Sequence, residues 1–176
     1  LIESKAAASH VKKIHATLSA IFKFAIKNEY MKENPAAIVG NVDLKEEKTV
    51  NYWTLDEFKA FIKHVDDDLY YTLFMTLYYS GMRKGELLAL TWADIDFNNH
   101  IININKTDYY RKITTTKTTS STRKVLMPKF TMDLLAKLKL AQSVVYQSEP
   151  KMNYVVFGEF YERISTTTLD RRFEKY

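Results

Sequence analysis

The stretch Leu77 to Asp96, LYYSGMRKGELLALTWADID, constrains this chain more than any other part of it. An apolar helical run through Leu69, Leu73 and Leu77, with Phe74 and Tyr78 between them, meets Ser80 and Gly81, and a second short apolar pattern begins at Arg83. A glycine at such a junction supplies the backbone freedom that a tight helix-to-helix corner needs. The corner therefore presents Met82, Arg83 and Lys84 just as the next helix starts. Arg83 and Glu86 stand three apart and share a face of that helix, while Leu87, Leu88 and Leu90 anchor its other side. A guanidinium on a rigid corner suits a phosphate, because its planar fork donates two parallel hydrogen bonds and never loses its charge. The same spacing equally suits a surface arginine paired with Glu86.

The run from Gly81 to Asp96, GMRKGELLALTWADID, resembles the first catalytic-arginine motif of the tyrosine recombinases, the phage and transposon integrases. The resemblance implies that Arg83 is the first of two arginines that clamp the scissile phosphate. It implies a supporting role, without chemistry, for Glu86.

Composition bounds the remaining possibilities. A chain of 176 residues is about one domain, or one domain with part of another, and 46% apolar residues suffice for a sizeable core. No apolar run approaches the roughly 20 residues of a membrane span, and no secretory leader opens the sequence, so no membrane partner and a cytoplasmic location are expected. Cysteine is absent, which removes disulfides and thiolate metal sites. The four histidines, His10, His15, His64 and His100, lack ligand spacing, and neither a metal nor a cofactor is expected.

The formal net charge of +5 favours an acidic partner, most commonly nucleic acid. Its distribution says more than its sum. Residues 106–129 hold seven basic residues (Lys106, Arg111, Lys112, Lys117, Arg123, Lys124 and Lys129) against Asp108, a local excess of +6, whereas residues 51–100 hold four basic and eight acidic residues, a deficit of −4. A positive field confined to one segment is what a binding edge looks like, and the resemblance implies that its partner is double-stranded DNA.

Taken in order, residues 6–29 read as one long helix whose stripe runs through Val11, Ile14, Leu18, Ile21, Phe22, Ala25 and Ile26. Lys12 and Lys13 on it are candidate DNA contacts, although a solvated face is the usual meaning of such lysines. Pro35 disfavours helical geometry at Asn34 and ends the helix. A lone amphipathic helix with so wide a stripe needs partners, so residues 1–39 are expected to be the end of a helical domain. The turn Glu33-Asn34-Pro35-Ala36 resembles the "ENPA" turn that closes the integrase core-binding domain. Residues 40–52 read as a linker, and 53–176 as the catalytic domain the resemblance implies.

At Thr54 a helical pattern restarts, with Thr54 and Glu57 forming a capping box. Asp66, Asp67 and Asp68 then separate two helices, where carboxylates stop one and cap the other. Residues 95–97 and 101–105 alternate apolar with polar around the turn Asn98-Asn99-His100, the signature of a hairpin, and a third strand is expected near Arg123 to Met127. The expected fold is therefore α+β, mainly helical with a small three-stranded antiparallel sheet. Thr131 is expected to cap a helix over 131–147, and Tyr154 to Phe157 to form a short strand or an extended link. A last helix is expected from Thr168 to Tyr176, opened by Ser165 or Thr166, with Arg171 and Arg172 exposed.

Between the second and third strands lies ITTTKTTSSTR, residues 113–123, a polar hairpin tip by composition. Lys117-Thr118 followed by Ser121 and Arg123 is similar to the integrase hairpin whose lysine acts as general acid. The resemblance thus implies that Lys117 is the second catalytic residue and that Lys124, further along, is not. Lys106, Arg111, Lys112, Ser121 and Arg123 complete the candidate DNA contacts.

A complete integrase continues into a His-x-x-Arg motif and a nucleophilic tyrosine, and no histidine here is followed by arginine at the third position. The expectation is a fragment of a site-specific recombinase that cuts and rejoins duplex DNA through a 3′-phosphotyrosyl bond, working with further protomers in a tetrameric synapse. These 176 residues alone are expected to be inactive. A non-catalytic basic DNA-binding module is the competing expectation.

Overall fold

A computed structural model of the chain describes residues 8–41, 52–109, 112–115 and 122–176, and divides it into two compact units, Leu1–Tyr52 and Trp53–Tyr176. Lys117, Arg111 and Ser121 fall outside the described residues.

The first unit holds α1 (Ala8–Lys27) and α2 (Pro35–Val39). Pro35, expected only to end a helix, opens one: its fixed φ and missing N–H suit a first helical position. Asn34 caps this turn, accepting from Ala36 N and Ala37 N, and its side-chain amide donates to Ser19 Oγ at 3.0 Å. His15 Nε2 meets Ala36 O at 2.8 Å, so α2 is pinned along α1. The α1 stripe is only partly covered, with Leu18 and Ile21 exposed.

The second unit starts with α3 (Leu55–Ile62), whose capping box is complete in both directions. In α4 (Asp68–Ser80) the Asp67 carboxylate accepts from Leu69 N and Tyr70 N, so one residue of the acidic triplet caps the helix. After α5 (Lys84–Leu88) and a 3₁₀ turn (Trp92–Asp94), β1 (Ile95–Asp96), β2 (Ile101–Ile104) and β5 (Arg123–Leu126) form an antiparallel sheet in the order β1-β2-β5. Its register pairs Ile102 with Ile95 on one side and with Val125 on the other. This is the three-stranded sheet expected from the alternation.

A second hairpin, β3 (Lys106–Tyr109) with β4 (Lys112–Thr115), corrects the reading of residues 113–115 as part of a polar tip; residues 116–121 lie outside the described residues. Ile113 and Thr114 are strand residues, paired with Asp108 and Thr107. A further small hairpin, β6 (Gly158–Glu159) with β7 (Glu162–Arg163), precedes α7 (Thr166–Lys175).

Helix α6 (Lys129–Tyr146) packs on α4. It begins earlier than expected because Pro128, at φ −60°, occupies the N-cap position; Thr131, expected there, is instead fully buried in the first turn. Residues Tyr154 to Phe157 run extended along the segment after α5, with Trp92 N donating to Tyr154 O and Val156 N to Leu90 O. Ser165 caps α7, as one of the two residues proposed for that position. Arg172, expected to be exposed, is half-buried and lies 4.7 Å over the Tyr70 ring.

The core gathers where these elements meet. Leu73 of α4, Leu87 and Leu88 of α5, Ile102 of β2, Leu135 of α6, and Val156 and Phe157 have no exposed surface. The corner between α4 and α5 is thus clamped by core leucines on both sides, which fixes whatever Arg83 presents.

Candidate active site

Gly81 closes α4 in the left-handed conformation (φ 58°, ψ 23°), donating to Leu77 O. Nothing stands within 4 Å of where a Cβ would be, so it is the backbone geometry and not crowding that selects glycine. The chain then turns so that Met82 enters the core and Arg83 points outward, its side chain 77% exposed.

Arg83 occupies the N-cap position of α5, and Glu86 reaches back to it. Glu86 Oε2 accepts from Arg83 N at 2.8 Å and Oε1 accepts from Arg83 Nη1 at 3.1 Å. Glu86 is buried, and a second guanidinium meets it from β5: Arg123 Nη1 donates to Oε1 at 3.2 Å and Nη2 to Oε2 at 2.9 Å. Burial pushes the Glu86 carboxyl up, but the hydrogen bonds from Arg123 and Arg83 outweigh it and hold the group below the usual glutamate range. The cluster is a carboxylate between two arginines, net +1, with one arginine facing solvent. Arg83 is paired with Glu86, and its side chain nevertheless remains largely exposed.

Beside this cluster, β3 packs directly on α5. A Cβ on Gly85 would lie 2.7 Å from both Asp108 O and Thr107 Oγ1, so only glycine admits the strand at this distance. Lys106, at the head of β3, turns inward. Its ammonium meets Asp94 Oδ2 and donates to Thr91 Oγ1 at 3.0 Å, and Asp94 also accepts from Thr91 N at 2.8 Å and from Asn105 Nδ2 at 3.2 Å. The Lys106 charge, one of the candidate DNA contacts, is thus committed to an internal carboxylate. Lys112, on β4, is exposed, as are Lys12 and Lys13 on α1.

A concavity of about 900 Å³ opens between α5, β3 and the start of α7, lined by Lys84, Asp108, Arg163, Ser165, Thr166 and Asp170 among others. Its cations are paired within it: Lys84 Nζ lies 2.8 Å from Asp170 Oδ1, and Arg163 Nε 2.7 Å from Asp108 Oδ2. Arg83 is not among its lining residues. Spacing arguments had no access to Asp108, Arg163 and Gly85, because they meet only through the fold.

Residues 51–176 match the phage integrase family. The chain belongs to that family. Among similar proteins, the ICEBs1 integrase of Bacillus subtilis (strain 168) is 34% identical over 152 residues, which cover 83% of this integrase-family chain and 41% of that protein. A protein named tyrosine recombinase XerC-like from Caldanaerobacter subterraneus is 24% identical over 190 residues, covering 94% of the chain and 49% of that protein. The chain therefore spans less than half the length of these two relatives.

Solved integrase structures share the fold. The Tn1549 transposon integrase in complex with transposon right end DNA superposes with a TM-score of 0.68 at 19% identity, covering 99% of this chain and 60% of that one. A lambda integrase dimer bound to a COC′ core site gives 0.67 at 18% identity, covering 96% and 44%. The α+β architecture of this integrase-family chain is that of the tyrosine recombinases. No helix among its described residues is long and apolar enough to cross a membrane.

Proposed function

We propose that this chain is part of a site-specific DNA recombinase that cleaves and rejoins duplex DNA at the ends of a mobile element. The observation that carries the reading is Arg83: an exposed guanidinium on a glycine-fixed corner, backed by a buried carboxylate, in a chain of the phage integrase family. In this reading Arg83 donates hydrogen bonds to nonbridging oxygens of the scissile phosphate and stabilises the charge that accumulates there.

The chemistry needs two further functions. A tyrosine oxygen forms a bond to phosphorus as the bond from phosphorus to the 5′ oxygen breaks, leaving a 3′-phosphotyrosyl link. A general acid delivers a proton to the departing 5′ oxygen, and Lys117 is proposed for that role. Neither the nucleophile nor the second arginine is assigned to any of the 176 residues, so the chain alone is proposed to bind DNA without cutting it. Lys12, Lys13, Lys112, Arg111 and Ser121 are proposed as backbone contacts, and other protomers of the recombinase as assembly partners on DNA.

The test is trapping on a nicked duplex that carries the element's end sequence. The full gene product is expected to form a covalent adduct that survives denaturation, and Arg83→Ala and Lys117→Ala to abolish it; the 176-residue chain is expected to form none. A full product that binds the duplex but never forms an adduct would favour the non-catalytic binding module.

A further inference from the structure

Glu86 has two arginines to choose between, and its division between them is unequal. Arg123 takes both carboxylate oxygens with its two terminal nitrogens, at 3.2 and 2.9 Å. The Arg83 guanidinium takes one, through Nη1 at 3.1 Å, and remains 77% exposed while the Glu86 side chain is 2% exposed. A guanidinium carries five N–H donors arranged as a fork that matches a carboxylate with two parallel bonds. Arg83, three residues before Glu86 on the same turn, has the reach to use that fork on Glu86, and a phosphate competes for the same donors.

We infer that Arg123 acts through Glu86 and not on DNA: by occupying the carboxylate from the β5 side, it leaves the Arg83 fork open for a phosphate. Arg123 is then a positioning residue for Arg83, and β5 is built into the site by this contact. Its own side chain is about one-third exposed, against more than three-quarters for Arg83, which places Arg123 behind the phosphate-facing group. Electrostatics point the same way. With Arg123 present the three groups sum to +1; without it Arg83 and Glu86 cancel, and the corner no longer attracts an anion.

This inference rests on the reading of Arg83 as a phosphate ligand, and two measurements separate their failures. The first reads Arg83 directly: the 176-residue chain is treated with phenylglyoxal and the rate of modification at Arg83 is followed by peptide mass spectrometry. Arg123→Ala is expected to slow modification several-fold as Glu86 closes on Arg83, and Glu86→Gln combined with Arg123→Ala to restore it. An unchanged rate in folded Arg123→Ala overturns the inference. If that variant does not fold, Arg123→Lys, which keeps the charge but offers no fork, is expected to give an intermediate slowing, and a wild-type rate there overturns it equally.

The second measurement is affinity for a short duplex of arbitrary sequence at low salt. Arg123→Ala is expected to weaken binding by about tenfold, the size of one charge-assisted contact, and the double variant to recover it. Weakening that the double variant does not relieve would mean that Arg123 touches the phosphate itself, against the inference. Failure of the wild-type chain to bind any duplex would sink the phosphate reading of the corner, while the modification rates would still decide whether Arg123 governs Arg83.

Discussion

Arg163 grips Asp108 across 55 residues of chain, with Nε donating to Oδ2 at 2.7 Å and Nη2 to Oδ1 at 2.9 Å. The carboxylate side chain is 5% exposed and the guanidinium 15%, so this is an almost dry, two-pronged pair. It ties the β3–β4 hairpin, which leads towards Lys117, to the β6–β7 hairpin, which leads into α7. The hydrogen bonds that Arg163 donates to Asp108 hold its guanidinium above its already high range, against the opposing effect of burial. Arg163 therefore keeps its charge in the folded chain.

Removing one end of such a strut leaves a buried charge without its partner. Arg163→Ala is expected to destabilise the second unit by about 3–5 kcal/mol. Replacing both residues by an apolar pair of similar volume is expected to cost less than either single change, because no charge is then stranded. Urea denaturation of the two single variants and the double variant measures this; a double variant as unstable as the sum of the singles would show that the two side chains act independently.

Two glycines in the same corner make opposite demands, and alanine separates them. At Gly81 the cost is backbone strain alone, about 1–2 kcal/mol for a left-handed residue with a Cβ, since a side chain there would meet open space. At Gly85 the added methyl would stand 2.7 Å from the Asp108 carbonyl oxygen and must push β3 off α5. Overpacking of this kind costs about 1–3 kcal/mol, and it also displaces Asp108 from Arg163. Gly85→Ala is thus expected to weaken DNA binding and stability together, whereas Gly81→Asn, which tolerates positive φ, should recover much of what Gly81→Ala loses. Equal denaturation midpoints for Gly85→Ala and the wild type would contradict the close approach.

What could be read in the sequence was local. The Thr54–Glu57 capping box, the glycine corner, the β1–β2 hairpin and the strand at β5 each carry their signal within a few residues, through hydroxyl spacing, a left-handed glycine or alternation. The β3–β4 hairpin does not. Lys106, Asp108 and Lys112 place charges where a strand pattern would show apolar residues, because Lys106 and Asp108 are half-buried and paired with distant partners, Asp94 and Arg163. Charge that folds inward looks the same in sequence as charge that faces DNA, so Lys106 reads as a phosphate contact until Asp94 is placed beside it. Thr131 misleads for a related reason: a threonine near a helix start resembles a cap, yet Pro128 has already begun the helix.

Gln142 shows the same limit inside the core and yields a direct test. On α6 it is a bridge: its Oε1 accepts from Trp92 Nε1 at 3.0 Å and its Nε2 donates to Val156 O at 3.0 Å. Gln142→Leu keeps the volume and strands both partners in a buried setting, at a cost of about 1–3 kcal/mol. The expected outcome is a lowered melting temperature with altered Trp92 fluorescence. A Leu variant as stable as the wild type would mean that the indole and the carbonyl find other partners.

The Glu86 cluster also predicts how stability responds to acid. The carboxyl ordinarily titrates near 4.5, and in the folded chain it is held lower, burial being outweighed by the hydrogen bonds from Arg123 and Arg83. Because the unfolded chain binds this proton more readily than the folded one, unfolding free energy rises with pH across the interval between the two values. The contribution is complete above about pH 5 and disappears as pH falls through the folded value. Comparing the wild type with Glu86→Gln isolates it: the stability gap is expected to be constant from neutrality down to about pH 5 and to shrink below that. Arg123→Ala removes the leading hydrogen bonds that depress the carboxyl, so in that background the shrinkage should start at the same pH, set by the unfolded chain, and be smaller in total. A gap that stays flat down to pH 3 in chemical denaturation would mean that the Glu86 charge contributes nothing to the corner on which Arg83 stands.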